Sequence, residues 1–142
     1  MRLIVTRLRP SVPLPVYSSP GAAAFDLAAA DDVEIAPGEI KLVGTGLVIA
    51  VPEGHFLAIF ARSSTPLKRG LMVANGVGVL DADYCGPTDE LKVQLFNVTT
   101  APVSIKAGER LAQAIVLQAP RVEFVEGETT ARSRGGFGST GR

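Results

Sequence analysis

The sequence predicts an all-β fold, a sandwich or barrel built from short strands. Three observations support this prediction. First, 10 prolines and 15 glycines are scattered along 142 residues, so few windows are long enough for a helix. Second, short alternating runs rich in β-branched residues lie between these breakers. Third, turn signals at residues 36–38, 52–54 and 106–108 separate the runs, as in proteins with many short strands.

The runs predict strands at five places along the chain. In order, these are residues 3–8, 40–51, 56–61, 91–98 and 111–117. The only helix candidate covers residues 64–68, and Pro66 limits it to one or two turns.

The length of 142 residues fits one domain followed by a tail of different composition. We predict a β-barrel domain over residues 1–126 and a mobile C-terminal arm over residues 127–142. A glycine-rich arm cannot bury enough surface to offset its ordering entropy. A frayed terminus is the alternative. Phe137 favours a binding role, because a lone aromatic among glycines and arginines can serve as a stacking platform.

Charge and composition exclude several classes of protein. Lys plus Arg and Asp plus Glu both number 14, so the basic excess typical of a duplex-DNA binder is lacking. The last eleven residues nevertheless hold three arginines and no acid, which suits an anionic ligand. Cys85 and His55 are the only residues of their kinds, which excludes an internal disulfide and a Cys/His zinc site. With no signal-like segment and no run approaching ~20 apolar residues, we expect a cytoplasmic protein without membrane contact.

The segment Ala61-Arg62-Ser63-Ser64-Thr65 joins a predicted strand to the helix candidate. A guanidinium, hydroxyls and free N–H groups at a helix start together favour an anion, and phosphate is the obvious guest. The alternative is that Ser63 is a plain N-cap.

The segment 75–86 begins with Asn75-Gly76, which predicts a turn entering a β-hairpin. Its glycines allow the backbone to approach a flat ligand closely. Asp81 follows an apolar run and is expected at the end of a half-buried strand. Alternatively, Asp81 and Asp83 are turn formers.

The segment 108–116 runs from a turn into an apolar strand that Gln113 interrupts. A buried Gln113 needs a partner, and both internal pairing and ligand binding remain open.

Together these segments resemble the trimeric dUTP pyrophosphatase (dUTPase) family over nearly the whole chain. The five family motifs match, in order, residues 20–27, 62–64, 75–86, 108–113 and 135–141, the last almost letter for letter. The resemblance implies a jelly-roll-like β-sandwich or barrel subunit with a flexible glycine-rich C-terminal tail. It also implies a homotrimer whose active sites take motifs one, two and four from one subunit, the third from a second and the tail from a third.

The implied reaction is hydrolysis of dUTP to dUMP and pyrophosphate by water attack on the α-phosphorus. Such an enzyme keeps uracil out of DNA and supplies dUMP for dTMP synthesis. By resemblance, Asp81 positions and deprotonates the attacking water as a general base. The ring of Tyr84 lies beneath the deoxyribose and leaves no space for a 2′-hydroxyl. Asn75 and the hairpin backbone, including Gly78, pair with the polar edge of uracil.

The resemblance assigns the remaining matched residues to the phosphates, the base and the metal. The implied phosphate ligands of the core are Arg62, Ser63, Ser64 and Gln113. In the tail, Arg132 binds the γ-phosphate, Phe137 stacks on uracil, and Gly138, Ser139 and Thr140 complete the substrate contacts. Five extended residues span at most about 17 Å, enough to reach from the base to the terminal phosphate.

The implied cofactor is Mg²⁺, bound mainly through the triphosphate. No carboxylate cage is evident, and magnesium commonly keeps several waters. Asp26 is implied to lie near the water shell of the metal, as an indirect contact.

Three places depart from the family pattern. Ala61 precedes the second motif and Ser64-Thr65-Pro66 end it, where the family has Pro before it and Gly-Leu-Ala after Arg-Ser. Residues 85–90 form a longer link than usual. Ser133 and Arg134 replace small or acidic residues.

Two rival functions remain open at this point. A dCTP deaminase shares the fold and an Arg-Ser-Ser segment, but its mechanism needs a glutamate where this chain has Gln94, which cannot shuttle protons. A non-enzymatic nucleotide-sensing module would not require the carboxylate of Asp81 facing a polyanion.

Overall fold

The structure, a computed structural model, describes residues 1–133 and 135. The strands in this part of the chain are β1 (Ile4–Arg7), β2 (Phe25–Ala28), β3 (Val33–Ile35), β4 (Ile40–Gly44), β5 (Leu47–Ala50), β6 (His55–Ala61), β7 (Leu71–Val73), β8 (Gly78–Leu80), β9 (Lys92–Asn97), β10 (Val103–Ile105) and β11 (Arg110–Gln118). A five-residue π-helical turn covers Thr65–Arg69. The predicted all-β fold is therefore confirmed.

The strands form four antiparallel sheets. The largest has the order β2-β11-β6-β8, and a second has the order β4-β9-β7. Two-stranded pairs β1-β5 and β3-β10 complete the set. The long strands β6 and β11 pair over seven positions, from Ala112 opposite Ala61 to Gln118 opposite His55. They form the centre of the large sheet and position both of its neighbours.

The predicted strand over 40–51 is divided into β4 and β5 by Gly44, Thr45 and Gly46. Gly46 has φ +66°, a conformation that favours glycine. The Thr45 N–H and hydroxyl both donate to the Leu91 carbonyl, at 3.1 and 2.7 Å. These bonds turn the chain from one sheet into another, which a strictly local pattern of apolar residues does not reveal.

The other predicted strands differ from the observed ones by one residue at one or both ends, an ordinary uncertainty of element boundaries. The helix candidate over 64–68 corresponds to the turn Thr65–Arg69. Strands β2, β3, β7 and β10 were not among the predicted runs, since three or four residues carry little periodic signal.

The core lies between the sheets and contains the inward side chains of alternating positions. On β9, for example, Val93 and Leu95 are buried while Lys92 and Gln94 are exposed. Fully burying one such aliphatic side chain contributes about 1.5–3 kcal/mol. The fully buried large apolar residues are Leu27, Ile35, Ile49, Leu57, Leu71, Leu91, Leu95 and Ile105.

Asn97 is the largest polar side chain in this core, and its hydrogen bonds explain its burial. Its amide donates to the carbonyls of Ile35 at 2.9 Å and Ala101 at 2.8 Å. Its oxygen accepts from the Thr99 N–H at 2.9 Å and hydroxyl at 2.7 Å. Over residues 1–133 and 135, every buried side-chain N or O has a hydrogen-bond partner.

After β11 the chain leaves the sandwich. The Ala119 N–H still donates to the Gly54 carbonyl at 2.8 Å, but residues 119–133 form neither helix nor strand. The proposed division between domain and arm at residue 126 stays a prediction. No helix in the described ranges is long and apolar enough to cross a membrane.

Candidate active site

A hairpin containing β8 forms one side of the candidate site. Asn75 and Gly76 make the turn, where the Gly76 N–H donates to the Val73 carbonyl at 3.0 Å and φ of Gly76 is +72°. Gly78 then pairs with Ile59 of β6. A Cβ on Gly78 would lie 3.1 Å from the Ile59 Cβ, so glycine lets the two strands approach closely.

Asp81 and Tyr84 follow β8 within a single tight turn. The Tyr84 N–H donates to the Asp81 carbonyl at 3.2 Å. Both side chains are exposed. The alternative that Asp81 is a turn former is therefore correct for its backbone, while its carboxylate remains accessible to a ligand.

These residues line a cavity of about 300 Å³, which we call the hairpin cavity. Four predicted site residues contribute to it: Asn75, Gly78, Asp81 and Tyr84. The outward residues of β4 and β9 and the link between β8 and β9 complete the wall with Leu42, Glu90, Lys92 and Gln94. The volume lies at the lower end of the range for small-molecule pockets. Glycine backbone, an amide, a carboxylate and a phenol suit a flat polar ligand.

A second group of predicted residues, the phosphate cluster, lies on β2, β6 and β11. We define it as Asp26, Arg62, Ser63, Ser64 and Gln113. Asp26 pairs with Gln113 across β2 and β11, and Gln113 pairs with Phe60 across β11 and β6. The Gln113 side chain donates to the Ala61 carbonyl at 3.0 Å. Internal pairing, one of the two alternatives for Gln113, is thus observed in the chain.

Asp26 holds two arginines at once. The Nε of Arg62 donates to one carboxylate oxygen at 2.7 Å, and Nη1 of Arg110 donates to the other at 3.1 Å. The Asp26 side chain is only 10% exposed, so these charge-assisted bonds are partly shielded from water. Because Arg62 uses its Nε here, the outer fork of its guanidinium is directed away from Asp26.

The hydroxyls of Ser63 and Ser64 follow Arg62 directly. The helical turn is capped by Ser64, not Ser63, and the Ser64 hydroxyl makes no capping bond. The alternative interpretation of Ser63 as a plain N-cap is therefore wrong, because the cap position falls one residue later.

The helical turn is fastened to the start of β11 at two points. Inside the protein, the buried Thr65 hydroxyl donates to the Leu111 carbonyl at 3.3 Å. At the far end, Arg69 forms an ion pair with Glu109 and donates to the Ser104 carbonyl at 2.5 Å. The Arg69 guanidinium holds the pKa of Glu109 below its usual value, and the bond from the Lys106 N–H acts in the same direction.

The structure does not bring the two groups of residues into one cavity. Within the described residues, none of the phosphate cluster lines the hairpin cavity. In the large sheet, β8 and β2 lie at opposite edges with β6 and β11 between them. Three strand spacings, roughly 14 Å, separate Asp26 on β2 from β8, whereas Arg62 follows β6, the direct neighbour of β8. A single chain thus presents two separate groups of predicted site residues on one sheet.

The residues predicted in the tail have a different status. Arg132 is exposed and belongs to no strand or helix. Phe137, Gly138, Ser139 and Thr140 lie outside the described residues, so their predicted roles are carried by the sequence alone.

The donor set bears on the predicted magnesium. Over residues 1–133 and 135, no three His, Cys, Asp or Glu side chains lie close enough together to hold a metal ion. Both oxygens of Asp26 accept bonds from arginines. This arrangement fits an ion held mainly by the substrate, with at most water-mediated help from Asp26.

Sequence reasoning missed two residues of these two groups. Arg110 lies within the fourth motif, which assigns it no role, and Glu90 lies in the long link over residues 85–90. The signal that could have identified Arg110 is the position of an arginine directly before an apolar run. Glu90 gave no local signal, because its partner lies 44 residues away.

Comparison with known proteins identifies the family of this chain. A family model described as dUTPase matches residues 11–141. The chain belongs to the dUTPase family. The deoxyuridine 5'-triphosphate nucleotidohydrolase of Thermobifida fusca is 44% identical over 145 residues, covering 99% of this chain and 79% of that protein. The enzyme of the same name from Corynebacterium diphtheriae is 46% identical over 141 residues, covering 96% and 91%.

Solved structures agree with the family assignment. A crystal structure of dUTPase from Streptococcus mutans matches with a TM-score of 0.75 at 37% identity, covering 78% of this chain and 89% of that one. A variant dUTPase of Staphylococcus bacteriophage 80alpha matches with a TM-score of 0.87 at 22% identity and covers 99% of both chains. The second match concerns the fold alone. The jelly-roll-like fold predicted from the sequence is confirmed.

Proposed function

We propose that this chain hydrolyses dUTP to dUMP and pyrophosphate by water attack on the α-phosphorus. The observation that carries the proposal is the turn that places Asp81 and Tyr84 together at the hairpin cavity, with Asn75 and Gly78 on the same wall. This dUTPase would remove dUTP, which keeps uracil out of DNA, and would supply dUMP for dTMP synthesis.

In the hairpin cavity each group has a chemical task. The Asn75 amide and the backbone around Gly78 offer donors and acceptors to the polar edge of uracil. The ring of Tyr84 closes the space beside C2′ of the sugar. Asp81 orients a water molecule and accepts its proton during attack, a step for which a positioned general base typically contributes 10²–10⁴-fold.

In the phosphate cluster, the outer fork of Arg62 and the hydroxyls of Ser63 and Ser64 bind triphosphate oxygens. Asp26 holds Arg62 by its Nε, so the guanidinium is oriented before the ligand arrives. Gln113 keeps the end of β6 in place through the Ala61 carbonyl and adds an amide close to the phosphates.

We place Arg132 on the γ-phosphate and Phe137 on the uracil ring, with Gly138, Ser139 and Thr140 closing the tail over the ligand. Closure of such a tail excludes bulk water and strengthens the polar contacts inside. Mg²⁺, held mainly by the triphosphate, would neutralise phosphate charge as attack proceeds. In phage phi11 of S. aureus, a dUTPase of the same fold coordinates a structural Mg(II) ion.

The active site is assembled from several copies of the chain, as a homotrimer. The main support is the separation of the hairpin cavity from the phosphate cluster on one chain, since dUTP must contact both. A second copy, placed with its phosphate cluster against the hairpin cavity of the first, supplies the half that is lacking.

Two exposed apolar surfaces give such copies a means of association. Ile40, Phe96 and Met72 form a row across β4, β9 and β7, in which Ile40 and Met72 are exposed. The segment between β11 and the arm carries Phe124, 94% exposed, beside Val122 and Val125. Contiguous exposed apolar surface is typical of protein interfaces.

A groove near the N-terminus is the place for residues 121–126 of a neighbouring copy. This cavity of about 600 Å³ is lined mainly by apolar side chains, among them Leu3, Val5, Phe25 and Ile115. The occupant is the segment 121–126 of a second chain, whose apolar side chains match the lining.

Pyrophosphate release from dUTP, compared with dTTP, dCTP and UTP with and without Mg²⁺, tests the function. Rapid, magnesium-dependent release from dUTP alone is expected. Ammonia release from dCTP would instead support the deaminase, although Gln94 on the wall of the hairpin cavity cannot shuttle protons. The molar mass from light scattering tests the trimer.

A further inference from the structure

Residues 86–90, the link that is longer than usual in the family, form a compact turn of their own. The Gly86 N–H donates to the Asp89 carboxylate at 2.7 Å, and the Asp89 N–H donates to the Gly86 carbonyl at 3.0 Å. The Glu90 N–H donates to the Thr88 carbonyl at 2.8 Å. This turn delivers Glu90 to the hairpin cavity.

The Glu90 carboxylate lies in a notch formed by two glycines. It accepts the Gly46 N–H at 2.8 Å. A Cβ on Gly44 would lie 2.5 Å from the same carboxylate oxygen, so only glycine at position 44 leaves room for it. The Lys92 ammonium is 3.7 Å away and half exposed, and such an ion pair contributes little. The bond to Gly46 therefore fixes Glu90.

The main chain of Glu90 in turn holds Tyr84. The Tyr84 hydroxyl donates to the Glu90 carbonyl at 3.4 Å, a long and therefore modest bond. The Tyr84 side chain is 43% exposed, so packing alone restricts its ring weakly. The hydroxyl bond at one end and the backbone turn with Asp81 at the other define where the ring stands.

We propose that Glu90 is a positioning residue for Tyr84 and thereby sets how strongly the enzyme prefers 2′-deoxyribose over ribose. The inference rests on the proposed function, in which the Tyr84 ring crowds the 2′ position. In this scheme Glu90 acts on the nucleotide through Tyr84. The anchored side chain of Glu90 keeps the Glu90 carbonyl in place. That carbonyl holds the Tyr84 hydroxyl, and the Tyr84 ring limits the space beside C2′.

A purely stabilising role of Glu90 and a positioning role predict different activities. If Glu90 only joined the link to the corner at residues 44–46, its loss would lower stability and reduce the activity on dUTP and UTP alike. If it positions Tyr84, its loss frees the ring, and UTP gains relative to dUTP. The ratio of kcat/KM for dUTP to that for UTP separates the two cases.

The experiment compares Glu90→Ala, Glu90→Gln and the wild type on both nucleotides. Glu90→Ala should lower the ratio by about three- to tenfold, the scale of one modest hydrogen bond. Glu90→Gln keeps an oxygen for the Gly46 N–H and should retain most of the preference. Asp83→Ala, which removes another carboxylate from the same hairpin, is the matched control and should leave the ratio unchanged.

A folded Glu90→Ala protein with the wild-type ratio would overturn the inference. If Glu90→Ala does not fold, Tyr84→Phe gives the answer, because it removes only the hydroxyl of an exposed side chain. A lowered ratio in Tyr84→Phe supports the tether, and an unchanged ratio refutes it. Failure of the wild type to release pyrophosphate from dUTP would instead refute the proposed function itself.

Discussion

The hairpin cavity and the phosphate cluster are built on the same sheet in different ways. The cluster lies around the paired strands β2, β6 and β11, and its charged groups are fixed by bonds such as those of Asp26 with Arg62 and Arg110. The cavity is formed by a hairpin and a link, and its two main side chains, Asp81 and Tyr84, are exposed.

Under the proposed function, this difference follows from what each region must recognise. A triphosphate is a dense anion, so its ligands need charge held in a fixed orientation, which buried carboxylates and strand pairing provide. A base and a sugar are recognised by shape and by backbone polar groups, for which glycines in a hairpin suffice. A carboxylate that activates a water molecule must also remain accessible to that water, as Asp81 does.

The largest expected effect comes from the hairpin cavity. Asp81→Asn keeps the shape of the side chain but cannot take a proton, so turnover should fall by about 10²–10⁴-fold. Binding of a non-hydrolysable dUTP analogue, measured by calorimetry, should stay nearly intact. Full activity in the purified variant would show that Asp81 is not the base.

Asp26→Ala tests whether the phosphate cluster depends on the orientation of Arg62. The loss of charge-assisted bonds leaves Arg62 without its orienting partner, and we expect kcat/KM to fall by about ten- to a hundredfold. Asp31→Ala removes an exposed carboxylate that pairs with Arg9 and is the control. Equal effects of the two substitutions would contradict the special role of Asp26.

Tyr84→Ala tests whether the hairpin cavity discriminates by shape. Opening the space beside C2′ should raise activity on UTP relative to dUTP by roughly tenfold or more. The measurement is kcat/KM for both nucleotides at one magnesium concentration. An equal loss on both would reduce Tyr84 to a structural residue.

The smallest effect concerns the ion pair of Arg69 with Glu109, which fastens the helical turn to the start of β11. Because the pKa of Glu109 is lowered below its ordinary value of 4.5, its stabilising effect is fully present above pH 4.5. The effect is lost as the pH falls through the lowered pKa. Glu109→Gln should therefore destabilise the protein slightly at pH 7 and less below pH 4.5, measured as urea midpoints.

The control for this comparison is Glu53→Gln, in the exposed turn before β6. It should follow the wild type at both pH values. A Glu109→Gln protein whose deficit in urea midpoint is the same above and below pH 4.5 would show that the ion pair with Arg69 does not couple to pH.

The long strands were predictable from the sequence, because β6, β9 and β11 are runs of six to nine residues rich in apolar side chains, and β9 alternates clearly. The site residues were named by resemblance of short motifs. Their partners were not predictable, since Asp26 meets Arg62 across 36 residues and Arg110 across 84. Such contacts depend on strand pairing, which local patterns do not specify.

The same limit explains the corner at residues 44–46. One strand was predicted over 40–51, while the bonds from Thr45 to the Leu91 carbonyl and from Gly46 to Glu90 divide this segment. The notch that receives Glu90 is thus a product of tertiary structure, and its glycines resemble ordinary turn residues in the sequence.

In the proposed trimer, each chain carries a hairpin cavity and a phosphate cluster that belong to different sites, so a complete site needs several chains. Mixing Asp81→Asn protein with protein truncated after Thr130, and refolding them together, tests this claim most directly. When the two chains are combined in equal amounts, about three quarters of all closed trimers contain both chains, and each of these trimers has one whole site out of three. About a quarter of wild-type activity should therefore return. Activity that never exceeds that of either parent, with subunit exchange confirmed by differently tagged chains, would show that one chain supplies both Asp81 and the tail of a site, which contradicts the proposed sharing.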